Sequence, residues 1–135
     1  MTKRRLLDTN LIIRHLVQDN VSQAKAAGKL FGACDHGEII LIVLSAVLAE
    51  TVFVLESFYD HIPRNIAQVI SRLLASPGIE LTDDEIHQAA LIEYGKGKLH
   101  FVDCLIAAYA KGRNWPVATF DQGFRKLPSV KIDLG

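Results

Sequence analysis

The sequence has no net charge: fifteen Lys and Arg balance fifteen Asp and Glu in 135 residues. Bulk charge therefore recruits neither nucleic acid nor anionic membrane, and any polyanion binding has to come from local patches. Only two cysteines occur, Cys34 and Cys104, each in an apolar, helix-like setting (FGACDHG and VDCLIAA). They read as buried free thiols of a cytosolic protein rather than as a disulfide. Long hydrophobic runs are missing as well. The longest, Ile39 to Ala49, covers 11 residues, is interrupted by Ser45 and ends at Glu50, whereas a membrane span needs about 18 or more. Asp8 and Asn10 break the apolar stretch after the basic N-terminus, so no signal peptide is expected. The expected location is the cytoplasm, with no membrane attachment. Neither GxxxxGK[ST] nor GxGxxG is present, so a glycine loop for nucleotides is unsupported. The five histidines are scattered, none paired at i, i+3 or i, i+4, and give no zinc spacing.

What is present is ample core material. Half the residues are hydrophobic and 22% are charged, at a length that suits one domain, residues 1–135, around one core. Leu6–Asp8 reads as a short strand, followed by a helix carrying Leu11, Ile12 and Leu16. Ser22 to Cys34 has Ala26, Ala27, Leu30 and Phe31 at helical spacing. Ile39–Val43 is a β-branched run of the kind buried on both faces of a sheet, and Ser45 suits the N-cap of a helix reaching about Phe58. Pro63 opens another helix, which Ser76-Pro77-Gly78 ends. After a short strand at Ile79–Leu81, Thr82 to Glu85 has the pattern of a capping box. Gly95 and Gly97 break that helix. Phe101 to Lys111 is a further one, ended by Gly112. Pro116–Thr119 and Val130–Leu134 complete the set as strands. Short apolar strands alternating with helices imply an α/β fold: a mostly parallel central sheet of about four to five short strands covered by helices on both faces. Ligands of such sheets collect beyond the carboxyl ends of the strands.

Most acids have ordinary explanations there, but four stand out. Asp8 follows the first strand directly, as a helix cap or as a site residue. Glu50 lies in SAVLAETVFVLE, a helix apolar nearly all round, where burial is expected to require a partner. Asp103 stands in the first turn of an apolar helix, where the helix dipole alone can explain it. Asp121 closes VATFD and can equally make an Asx turn into Gly123. Four carboxylates at one sheet edge would repel, and Mg²⁺ or Mn²⁺, which take oxygen ligands and bridge to phosphates, would resolve that.

The segments LLDTNLIIRHL, VLAETVFVLE, FVDCLIAAYA and VATFDQGFRKL, in this order and spacing, resemble the PIN-domain family and within it the VapC-type toxins, over essentially the whole chain. The resemblance implies a single PIN-like domain and a Mg²⁺- or Mn²⁺-dependent ribonuclease whose acidic quartet is Asp8, Glu50, Asp103 and Asp121. It implies supporting roles for Asn10 and Thr119 around the metal. It implies a cognate antitoxin, bound along helices near the site, and a homodimer. His100 departs from the family, which often has an acid or Asn there. RNA also needs positive charge outside the acidic pocket. Lys96 and Lys98, on a glycine-containing loop before Asp103, are the foremost candidates, and Arg14, Arg125 and Lys126 the secondary ones. A non-catalytic PIN scaffold for RNA or protein is the main alternative. A phosphoaccepting receiver domain fits less well, since it wants a pair of adjacent acids after the first strand and DTN supplies one.

Overall fold

The computed structural model describes residues 2–135. Three parallel strands form its sheet, in the order β1 (Lys3–Leu6), β2 (Ile39–Ile42), β3 (Ile79–Glu80). Leu6 pairs with Ile42, and Ile42 in turn with Glu80. Ile39 and Leu41 of β2 are buried while Ile40 and Ile42 are half-buried, so the central strand is fully enclosed on one face only. All four residues of β1 are exposed; Lys3, Arg4 and Arg5 put charge on an edge strand, which blocks pairing with a further chain.

Helix pairs make both parallel connections, as strands of one direction require. Between β1 and β2 run α1 (Thr9–Val17) and α2 (Val21–Asp35); between β2 and β3 run α3 (Ser45–Ser57) and α4 (Pro63–Ala75). Then come α5 (Asp84–Tyr94) and α6 (Phe101–Arg113), packed on each other. The core is aliphatic: Ile12, Leu41, Leu48, Leu55, Ile66 and Ile70 are fully buried. Tyr94 is buried too, its ring edge-on to Phe101 at 5.7 Å. Cys34 and Cys104 are buried and free.

Several ends differ from the sequence expectation. The first strand stops at Leu6, and Asp8 stands outside it as the N-cap of α1. Ser45 is the first residue of α3 rather than its cap, which is Leu44, because the Ser45 hydroxyl is taken by the buried His87 2.7 Å away. Thr82 does not cap α5. Asp83 holds that position in a left-handed conformation, φ 58°, with no side-chain capping bond, and its carboxylate reaches across to α6 instead. Gly112 lies inside α6, which ends at Arg113 with Asn114 as its C-cap. The expected fourth and fifth strands reduce to one parallel bridge, Val117 with Ile132, made by Val117 N–H to Lys131 O at 2.7 Å and Asp133 N–H to Val117 O at 3.0 Å. Pro116 has no N–H to extend that ladder. The sheet therefore has three strands among the described residues, not four or five.

Candidate functional site

Just beyond the carboxyl end of β1 lies a cavity of about 330 Å³, lined by Asp8, Thr9, Asn10, Ile13, Arg14, Glu50, Val54, Phe58 and Tyr59. Two helices build it. Asn10 and Arg14 share a face of α1 at i, i+4, and Glu50 and Val54 do so on α3. Asp8 is placed by its capping duty: its Oδ2 accepts from Asn10 N–H at 3.2 Å, and its carbonyl accepts from Leu11 and Ile12. One carboxylate oxygen, Oδ1, has no hydrogen-bond partner among the described residues. Beside it, Thr9 is 7% exposed and its Oγ1 is buried without a partner.

The expectation that Glu50 is buried is overturned. Glu50 is exposed, because α3 packs through Leu48, Thr51, Val52 and Leu55 and turns Glu50, with the exposed Phe53, away from the core. The half-buried acid of α3 is Glu56, which accepts from the hydroxyl of the buried Tyr94. Glu50 forms no ion pair with any described residue and faces the cavity it shares with Asp8.

Arg14 is the single cation among the lining residues, and it is held from three directions. Its Nε donates to Gln23 Oε1 at 2.6 Å, and its Nη1 to Asp19 Oδ1 at 3.1 Å and to the Tyr59 hydroxyl at 3.4 Å. Tyr59 in turn donates to Asp19 Oδ2 at 3.0 Å. No described residue accepts from Nη2.

The remaining sequence candidates do not line this cavity. Asp103 is half-buried in the first turn of α6, the helix that packs against α3, and does not line the cavity. Asp121 is exposed and caps a 3₁₀ turn, Gln122–Lys126, its Oδ1 accepting from Gly123 N–H at 2.8 Å. Thr119 Oγ1 accepts from Asp121 N–H at 3.0 Å, so it orders this turn. His100 stands before α6 without a side-chain capping bond. Lys96 is tied to Glu93 at 2.8 Å and borders a different hollow, with Cys104 and Lys111. Lys98, Arg125 and Lys126 are exposed. The cavity thus brings together Asp8, Asn10, Arg14 and Glu50. Thr9, Phe58 and Tyr59 were not foreseen. Nothing in the sequence marks Tyr59, which follows α3 in a connecting segment.

Among the described residues no three Asp, Glu, His or Cys side chains are grouped as a ready-made metal set. The donors at the cavity nevertheless suit a hard divalent ion. Two carboxylates from separate elements face one space with the Asn10 amide, Asp8 Oδ1 is unengaged, and no sulfur or imidazole intrudes. Mg²⁺ keeps several waters and needs only one or two protein carboxylates beside substrate phosphates.

Several titratable groups elsewhere in the fold are shifted by their surroundings. The hydrogen bond from Tyr109 at 2.8 Å, helped by Arg113 at 2.5 Å, holds the Asp83 carboxyl below its usual range. Burial lowers His15, partly opposed by Asp35, and raises Cys34; it pushes the Cys104 thiol up to about 11.

A parallel sheet with an acid-lined cavity past its first strand is an α/β domain with a candidate site at the carboxyl end of its sheet. The family model of the PIN domain matches residues 5–130, and the chain belongs to the PIN-domain family. PIN domains are in general nucleases. No curated protein and no solved structure matches the chain. No helix is long and apolar enough to cross a membrane among the described residues.

Proposed function

We propose that the protein is a Mg²⁺- or Mn²⁺-dependent endoribonuclease, the VapC-type toxin of a toxin–antitoxin pair, with its reaction centre at the Asp8–Glu50 cavity. The observation that carries this reading is the convergence of Asp8 and Glu50, from two different elements, on one space in a PIN-domain chain. Asp8 Oδ1 and the Glu50 carboxylate are the groups that would hold the ion, with Asn10 beside them. The chemistry such an ion supplies is an acidified water and positive charge at the departing oxygen. An acid of the quartet that does not ligate the ion would accept a proton from the attacking water. Asp103 and Asp121 complete the quartet by family resemblance, and Lys98, Arg125 and Lys126 offer charge for flanking phosphates.

Partners belong to the same reading. Phe53, Phe58 and Ile62 are exposed at and after α3, which suits an apolar antitoxin segment lying near the site. Val102, Ile106 and Trp115 expose a second apolar surface on and after α6, suited to a homodimer. Exposed apolar surface of this kind is what such partners would cover.

The test is cleavage of single-stranded RNA after chelation with EDTA and after return of Mn²⁺. Activity lost with the metal, restored by Mn²⁺, and abolished by Glu50→Gln in a folded protein is expected. Cleavage indifferent to EDTA sinks the metal-dependent reading. No cleavage by wild type under any metal favours the non-catalytic PIN scaffold.

A further inference from the structure

The clamp on Arg14 is more elaborate than a tie between helices requires. Three residues from outside α1 engage it: Asp19 from the α1–α2 turn, Gln23 from α2, and Tyr59 from the segment after α3. Asp19 and Tyr59 are further locked to each other. Together they occupy Nε and Nη1, fixing the guanidinium plane and leaving Nη2 with its two N–H groups unused. The side chain is 30% exposed and lines the same cavity as Asp8 and Glu50. A guanidinium held this way is preorganised, so little rotamer entropy remains to be lost when an oxygen ligand arrives.

An acidic cavity is otherwise a poor place for a nucleic-acid backbone. Asp8 and Glu50 repel a phosphate, and Arg14 is the one lining cation. Resting on the ribonuclease reading above, we infer that Arg14 is a phosphate-positioning residue. Its Nη2 receives a backbone phosphate of RNA at the cavity, and Asp19, Gln23 and Tyr59 serve to hold it there. Tyr59 and Asp19 act through Arg14 and need not touch the substrate. Lysine cannot replace it, because an ammonium lacks the planar fork that three partners grip while a third nitrogen stays open.

The experiment is fluorescence anisotropy of a labelled single-stranded RNA, with metal chelated so that no turnover occurs, over a series of NaCl concentrations. Removing one phosphate contact flattens the log–log salt slope for a single strand by about 0.7. Arg14→Gln is expected to flatten the slope by that amount and to weaken binding by about tenfold at low salt. Arg14→Lys is expected to keep most of the slope yet lose affinity, which a merely structural role would not produce. Tyr59→Phe, which retains the ring, is expected to weaken binding about threefold. It reads the clamp even if Arg14→Gln fails to fold. Thermal melting of each variant separates lost binding from lost structure.

An unchanged slope in folded Arg14→Gln overturns the assignment while leaving the nuclease reading standing, as does unchanged affinity in Tyr59→Phe. A flattened slope in a protein that never cleaves RNA supports the phosphate contact and removes the nuclease reading instead.

Discussion

Ser45 Oγ lies 2.7 Å from Nε2 of His87, a fully buried imidazole whose Nδ1 is 2.9 Å from the Asp83 carbonyl. A carbonyl only accepts, so in the neutral ring Nδ1 carries the proton and Nε2 accepts from Ser45. This chain of bonds joins the start of α3 to α5 and sets the helix from which Glu50 projects. Ser45→Ala leaves a buried ring nitrogen unpaired, and the expected loss of stability is about 1–3 kcal/mol. Urea denaturation with an unchanged m value would measure it.

Acid should weaken the fold through His15. Its ring stacks on Phe31 at a centroid distance of 4.3 Å and its Nδ1 is buried without a partner, and burial lowers its pKa from the ordinary 6.5. The folded state therefore binds the proton less readily than the unfolded chain. Stability from this group is complete above the unfolded value and is lost as pH falls through that value towards the folded one. Urea midpoints between about pH 7.5 and about pH 5.5 should fall in the wild type. The fall should be smaller in His15→Gln.

The two thiols should be unreactive in the native state. Both are buried, and the Cys104 thiol is pushed up to about 11 by burial, with Glu93 and Asp103 adding to it. Little thiolate exists at neutral pH. Titration with Ellman's reagent should show slow reaction of the folded protein and rapid reaction of both cysteines in guanidinium chloride.

Gly78 should tolerate no side chain. Its φ is +81°, and a Cβ there would meet Cys34 Sγ at 2.6 Å and Cys34 O at 2.8 Å. Strain and overlap act together where β3 passes the end of α2. Gly78→Ala is expected to cost well over about 1 kcal/mol, read as a lowered melting temperature.

Much of the frame was legible because hydrophobic periodicity and punctuation act locally. Pro63 opens α4, and the β-branched run at Ile39 forms the central strand. The starts of α3 and α5 share one physical cause: a side chain at each is claimed by a distant partner. Ser45 is taken by His87 and Asp83 by Tyr109 and Arg113, over sequence separations no local pattern reports. Asp8 both caps α1 and lines the cavity, so the capping bond does not withdraw its carboxylate from that space. Glu50 was singled out by counting apolar neighbours, yet the face it occupies is the open one. Tyr59, Asp19 and Gln23 left no local signature, since only the packing of α1, α2 and the end of α3 brings them to Arg14.

The proposed site rests on the charge of Asp8. Asn caps a helix as well as Asp does, so Asp8→Asn keeps the bond to Asn10 N–H while removing the carboxylate from the cavity. The decisive measurement is the rate of Mn²⁺-dependent RNA cleavage by wild type and Asp8→Asn at matched melting temperature. A fall of about 100-fold or more in Asp8→Asn is the expected result. Equal rates in two equally folded proteins would contradict the assignment of the cavity as the reaction centre.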